Sequence, residues 1–256
     1  MKIEPIKAFT DNYIWALHHP TQQRLCVVDP GDSQPVFDYL EEHQLKLDSI
    51  LITHYHNDHI GGVKALKQAT GARVYGSVHD NLDFVDEALN EPESIVIFDD
   101  QYQFEILHVP GHTLGHIAYY EPHRQWLFCG DTLFKAGCGR MFEGEPKQFY
   151  QSLQKLAQLP PQTQVYCTHE YTLSNLAFAE SVEPDNQVVK QLIAESQQRR
   201  KQQQATLPST IASELASNPF LRCDQAPVIK AAHSADPAAK HDWQIFATIR
   251  RLKDNF

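Results

Sequence analysis

Ser49-Ile50-Leu51-Ile52-Thr53-His54-Tyr55-His56-Asn57-Asp58-His59-Ile60-Gly61-Gly62 joins a short apolar run to a cluster of ionisable side chains. Ile50-Leu51-Ile52 is continuous rather than alternating, as expected of a strand buried on both faces. The segment behind it places three histidines and one aspartate within six residues. A loop between a strand and a helix can turn all four toward one point. Imidazole and carboxylate suit zinc, iron or manganese, whereas a soft-metal site would want thiolate. Read as packing alone, the run would set four hydrophilic groups beside a buried strand, and buried polar groups need partners.

Three further candidates stand at the ends of other predicted strands. His112 lies in Pro110-Gly111-His112-Thr113 after a strand at 104–109, Asp131 in Gly130-Asp131-Thr132 after one at 126–129, and His169 in Thr168-His169-Glu170 after one at 164–167. Any one alone is an ordinary turn residue. Together they follow the rule that α/β architectures gather ligands at the carboxyl ends of strands. The remaining histidines, 18, 19, 43, 79, 108, 116, 123, 233 and 241, are read as non-ligands, with His108 and His116 nearest to the candidates in sequence.

Working outward, residues 1–171 alternate strands with helices, which predicts a layered α/β sandwich. The other strands are expected at 2–9, 13–18, 25–29, 49–53, 73–75, 94–98 and 116–120, and the helices at 34–43, 62–69 and 146–158. Asp32 and Ser33 offer a cap for the first helix. After Glu170 strands are expected to stop. Helical patterns cover 172–181, 186–204, 209–215 and 237–253, punctuated by Pro184, Pro208, Pro219 and Pro227. A domain boundary is placed near 171.

The 256 residues are 42% hydrophobic and 21% charged, as in a folded globular protein. Five scattered cysteines without C-x-x-C argue against a disulfide framework or a thiolate zinc site. The first dozen residues lack the pattern of a signal peptide, and no apolar run nears the ~20 residues of a membrane span, so a cytoplasmic protein is expected. A net charge of −10 argues against nucleic acid as a partner. That charge is uneven: residues 1–171 hold 12 Lys and Arg against 23 Asp and Glu, and residues 172–256 hold 10 against 9.

The series H-x-H-x-D-H, a later His, a Gly-Asp and a final His resembles the metallo-β-lactamase superfamily, and implies its αββα sandwich. The resemblance assigns His54, His56 and His112 to one metal, Asp58, His59 and His169 to a second, and Asp131 to both. Zinc is the expected metal, with iron or manganese acceptable. Two metals about 3.5–4 Å apart lower the pKa of a shared water toward ~7, so the expected nucleophile is hydroxide, with Asp58 and Asp131 the catalytic carboxylates that hold the metals. Neither G-x-S-x-G nor a P-loop offers a rival.

Gly137-Cys138-Gly139-Arg140, Tyr166-Cys167-Thr168-His169-Glu170-Tyr171-Thr172, Asn218-Pro219-Phe220-Leu221-Arg222 and Arg250-Arg251-Leu252-Lys253-Asp254 are similar to the glyoxalase II (hydroxyacylglutathione hydrolase) family. The resemblance implies a helical substrate-binding domain at 172–256 after a catalytic domain at 1–171, and hydrolysis of S-(2-hydroxyacyl)glutathione thioesters. It carries glutathione binding onto Arg140, Phe142, Tyr171, Arg250 and Lys253. Arg140 stands where Lys is common, and Phe142 lacks the hydroxyl of the Tyr that can occur there. Glutathione is anionic, so a chain of net −10 needs local cations to hold it. A monomer that binds no membrane is expected. Competing readings are a persulfide dioxygenase with one iron, a β-lactamase, which would need a signal peptide, an RNA-processing nuclease, which would need a basic surface, and a zinc-stabilised binding module, which would favour cysteine ligands.

Overall fold

The computed structural model describes residues 2–256. It forms two compact units: the chain up to His108 together with Gly115–Gly130, and Val109–Leu114 together with Asp131–Phe256.

The first unit holds a six-stranded sheet in chain order, β1 (Ile3–Ala8), β2 (Asn12–His18), β3 (Arg24–Val28), β4 (Lys46–Leu51), β5 (Arg73–Ser77) and β6 (Glu87–Leu89). The pairs β1–β2 and β2–β3 are antiparallel, and those from β3 to β6 are parallel. The connection from β3 to β4 runs through α1 (Gln34–His43), and that from β4 to β5 through α2 (Asn57–Ile60) with α3 (Val63–Thr70). Val36 and Leu40 of α1 and Val63 and Leu66 of α3 pack in one core with Ile14, Leu25, Val27, Ile50 and Ile52. Cys26, Val28 and Leu51, on the opposite face, are equally buried. Burial on both faces is why Leu25-Cys26-Val27-Val28 of β3 and Ile50-Leu51-Ile52 at the end of β4 are continuous apolar runs.

Four more strands of this unit pair antiparallel in the order β10-β9-β8-β7: β7 (Ser94–Ile97), β8 (Tyr102–His108), β9 (Ile117–Glu121) and β10 (Trp126–Gly130). In β7 exposed and buried residues alternate, the mark of a half-solvated strand, whereas β9 and β10 are buried throughout. The Tyr119 hydroxyl donates to the Ile52 carbonyl at 2.9 Å and ties β9 to the end of β4.

The second unit carries a hairpin, β11 (Leu133–Phe134) with β12 (Gly137–Cys138), and an antiparallel pair, β13 (Gln164–Cys167) with β14 (Ser209–Thr210). Its helices are α4 (Pro146–Ala157), α5 (Thr172–Val182), α6 (Gln187–Lys201), α7 (Ile211–Ser217), α8 (Ala226–Ala235) and α9 (Asp242–Asp254). Among the described residues no helix is long and apolar enough to cross a membrane.

Strands therefore do not stop at Glu170, since β14 pairs with β13. Asn186 and Thr210 start α6 and α7 by accepting the amides of Val188 and Ser213 on their side chains. The helix expected from residue 237 begins at Asp242 instead, where the Gln244 side chain reaches back to accept the amides of His241 at 3.0 Å and Lys240 at 2.8 Å. Pro227, read as a break, sits in the first turn of α8, where the missing amide costs nothing. Asp32, not Ser33, accepts the Gln34 amide at the start of α1.

Phe104 has no exposed surface and meets Tyr119 at 6.4 Å and Phe128 at 6.0 Å, both edge-on. Phe104→Ala should cost about 3–5 kcal/mol, as for other fully buried aromatics. Urea unfolding measures it, and an unchanged midpoint would show that these rings do not form the core of the β7–β10 strands.

Candidate metal centre and substrate pocket

β3 and β4 are parallel neighbours, so the residues that leave their carboxyl ends lie side by side. Asp29 leaves β3 and Thr53 leaves β4. The Asp29 carboxylate accepts the Thr53 amide at 2.8 Å and the Thr53 hydroxyl at 2.7 Å, and lies 3.0 Å from His59 Nδ1. Thr53 Oγ1 in turn lies 3.1 Å from His54 Nδ1. A histidine that donates from Nδ1 presents its Nε2 lone pair, the form a metal ligand needs. Asp29 has φ of +53°, a left-handed conformation that aspartate tolerates better than most residues.

The loop brings together the four residues that the sequence groups in this unit. Ligand atoms of His54 and His56, of His54 and His59, and of Asp58 and His59 come within 4.8 Å of each other. His54 Nε2 and His56 Nδ1 are 3.1 Å apart, and His59 Nε2 lies 3.4 Å from Asp58 Oδ2. The Asn12 amide donates to Asp58 Oδ2 at 3.0 Å. His116 is fully buried and stacks on His54 at 4.6 Å and 16°, while His108 lies against His79 at 4.7 Å. A Cβ at Gly31 would overlap the Asp58 carbonyl, so the 29–32 turn can approach this loop only with glycine there.

The second unit gathers its own three candidates. His112 Nε2 and His169 Nε2 lie 3.5 and 3.3 Å from the same oxygen, Asp131 Oδ2. His112 Nδ1 lies 2.7 Å from the Arg140 carbonyl. Gly139 packs so closely that a Cβ would overlap the Asp131 carbonyl and crowd His112. All seven candidate donors are imidazole nitrogens or carboxylate oxygens. That set fits zinc, iron or manganese.

A cavity of about 400 Å³ opens in this unit. His112 and Asp131 line it, and so do Arg140, Phe142, Tyr171, Arg250 and Lys253, all five residues assigned to substrate. They sit at different depths. Arg140 is 59% exposed and pairs with Asp254 at 3.5 Å. Arg250 is 6% exposed. Its guanidinium donates to the Cys138 carbonyl at 2.9 Å, pairs with Asp254 at 3.1 Å and lies over the Phe220 ring. The Lys253 ammonium donates to Ser174 and lies between Phe178 and Phe256. Burial, and then the Arg250 charge, lower its pKa below the usual value. Phe142 is 60% exposed with its ring edge-on to His112, and Tyr171 stacks flat on His169 at 4.6 Å.

Two family models divide this chain, that of the metallo-β-lactamase superfamily over residues 14–169 and that of the hydroxyacylglutathione hydrolase C-terminus over residues 170–256. The chain is 50% identical to the hydroxyacylglutathione hydrolase of Pseudomonas aeruginosa (strain LESB58) over 259 residues, covering both proteins completely. The chain belongs to the hydroxyacylglutathione hydrolase family. A second member, from Ectopseudomonas mendocina (strain ymp), is 50% identical over 258 residues, again with full coverage of both. Among solved structures, ETHE1 from Myxococcus xanthus superposes with a TM-score of 0.68 at 23% identity, over 99% of this chain and 98% of that one. That likeness concerns the fold. The hydroxyacylglutathione hydrolase family thus accounts for a metallo-β-lactamase fold that continues into a helical C-terminal region.

The sequence reading does not single out Asp29, Asn12, Phe134 or Ser174. For Asp29 a signal existed, since Asp29-Pro30-Gly31 follows an apolar strand as the Thr53–His59 run does. Asp29→Asn keeps the shape and tolerates the left-handed backbone, but cannot accept from Thr53 and His59 as a carboxylate does. It should weaken metal binding about 10- to 100-fold, the usual effect of removing an outer carboxylate. Competition with a chelator measures this, and wild-type affinity in the variant would rule out the role given to Asp29.

Proposed function

We propose that this chain hydrolyses S-(2-hydroxyacyl)glutathione thioesters, S-D-lactoylglutathione among them, to glutathione and a 2-hydroxy acid such as D-lactate. This is the reaction of glyoxalase II and the second step of methylglyoxal detoxification, placed here in a cytoplasmic monomer. One observation carries the reading: a single cavity is lined by two metal-ligand candidates, His112 and Asp131, and by three cations, Arg140, Arg250 and Lys253. An anionic thioester held by those cations would lie beside the metal ligands.

In this reading His54, His56 and His112 would hold one divalent metal and Asp58, His59 and His169 a second, with Asp131 available to both. Zinc is the first choice, and iron or manganese suits the same donors. Bound there, two metals would supply hydroxide at neutral pH and polarise the thioester carbonyl. The chain's own residues do the rest. Asp29 and Thr53 orient His59 and His54, and Asn12 orients Asp58. Arg140, Arg250 and Lys253 attract the carboxylates of glutathione, while Phe142 and Tyr171 flank it. The leaving thiolate has a parent pKa near ~8.5, so it departs without a general acid. Residues 1–171 form the catalytic part and 172–256 the substrate-binding part.

Hydrolysis of S-D-lactoylglutathione by the purified protein, abolished by a chelator and restored by zinc, is the expected result. Asp131→Ala should lose metal and turnover together. A variant that kept both would show that the carboxylate does not belong to the centre.

Arg140 and Arg250 should not respond alike. Arg140→Ala removes an exposed charge and should raise KM about 10- to 100-fold with little change in Tm, since a charge-assisted hydrogen bond contributes roughly 1.5–3 kcal/mol. Arg250→Ala should also lower Tm, because the buried guanidinium ties Cys138 and Phe220 together. Neither loss in KM should appear with a small neutral thioester. Equal losses on both substrates would mean that these cations do not hold glutathione.

A further inference from the structure

Phe134 is the last residue of β11, and it is nearly buried. Its ring stands perpendicular to two others at once, His169 at 5.9 Å and 87° and Tyr171 at 5.5 Å and 88°. Those two rings are themselves stacked, 1° from parallel. A metal-ligand candidate and a substrate-contact candidate are thus braced by the same side chain. Perpendicular aromatic pairs of this kind are favourable beyond their buried area.

The hairpin that carries Phe134 is fixed from the C-terminal helical region. The Asn218 side chain donates to the Phe134 carbonyl at 3.2 Å and to the Gly137 carbonyl at 2.8 Å. The Glu214 carboxylate accepts the Ala136 amide at 2.7 Å. Both side chains have no exposed surface. The next residue, Lys135, adds a second tie to the same strand end. Its ammonium donates to the Thr206 carbonyl at 2.9 Å, and Glu170, the neighbour of His169, accepts the Thr206 amide at 2.8 Å. A flexible platform could not orient a ring, but this one has its polar backbone atoms committed to buried partners.

We propose that Phe134 is a positioning residue that holds His169 and Tyr171 in one arrangement, so that the helical tail, acting through Asn218 and the β11–β12 hairpin, orients a metal ligand as well as binding substrate. The proposal rests on the metal and thioester roles given above to His169 and Tyr171. It extends the work of residues 172–256 from substrate binding to the metal centre.

Phe134→Leu keeps an apolar side chain and removes the ring, and Phe134→Tyr keeps the ring. Zinc retention is measured by chelator competition without substrate, and KM and kcat with S-D-lactoylglutathione. Phe134→Leu should give up zinc about three- to tenfold more readily and raise KM by a similar factor, as the strength of an aromatic pair allows. Phe134→Tyr should restore both. Phe134→Met serves the same purpose should the leucine variant not fold. A lowered Tm with zinc retention and KM unchanged would reduce Phe134 to a packing residue and overturn the proposal, as would a wild type that retains no zinc. If the wild type holds zinc but does not hydrolyse the thioester, the function assigned above fails, and the zinc measurement still decides the role of Phe134.

Discussion

A single buried carboxylate organises the loop on which the first unit's chemistry depends. Asp29 receives an amide and a hydroxyl from Thr53 and lies against His59, and all three groups are removed from solvent. Hydrogen bonds to an ionised acceptor are shorter and stronger than neutral ones, and more so away from water. The consequence is geometric. His54 is held through Thr53 and His59 directly, so two imidazoles five sequence positions apart share one reference point. The left-handed backbone at Asp29 is the cost of aiming the carboxylate back across the top of β4. Such strain persists where the surroundings over-determine it, and the parallel pairing of β3 with β4 does so here.

In the reading proposed above, the second unit faces a different problem, which is how a chain of net −10 would hold an anion. Its answer is graded burial. Arg140 is largely in water and gives long-range attraction, which salt screens over about 8 Å at physiological ionic strength. Arg250 is almost wholly enclosed, and its charge is met by backbone carbonyls, by Asp254 and by an aromatic face. A guanidinium is suited to that place, being weakly hydrated, planar and able to stack. Lys253 is intermediate, its ammonium directed by Ser174. The alternative that this helix end carries cations only to suit its dipole explains Arg251 better than the other two. Arg251 is 59% exposed, whereas Arg250 and Lys253 turn into the cavity.

What could be read in the sequence follows from where each signal is local. Ile50-Leu51-Ile52 and the buried β10 declared themselves because two-sided burial leaves a continuous apolar run. The His and Asp series stood out because such residue types recur at the ends of successive strands. β14 is two residues long and has no period to detect, and its partner β13 is some forty residues away. Helix α8 was hidden because Pro227 reads as an interruption unless the helix start is already known. Asp29 stands after an apolar strand as the Thr53–His59 run does, but its partners, like those of Phe134, are brought in by pairing and by a hairpin, so the contacts themselves are not written in the adjacent sequence. The different depths of Arg140 and Arg250 were equally invisible, since both appear in sequence as an arginine near a family motif.

Cys138 shows how burial and charge compete in the same pocket. It lines the cavity beside Arg250, whose guanidinium approaches its sulfur at 3.6 Å. A neighbouring cation ordinarily favours thiolate, and a thiolate next to a bound thioester would exchange with it and trap the acyl group on the protein. Burial wins instead, and the thiol is pushed up to about 11 in spite of Arg250. At neutral pH the thiol therefore stays protonated. The arginine can therefore serve the pocket without activating the cysteine it touches. Its strongest tie there is to the Cys138 backbone carbonyl, so the residue's contribution is a fixed oxygen for Arg250 and not a reactive sulfur.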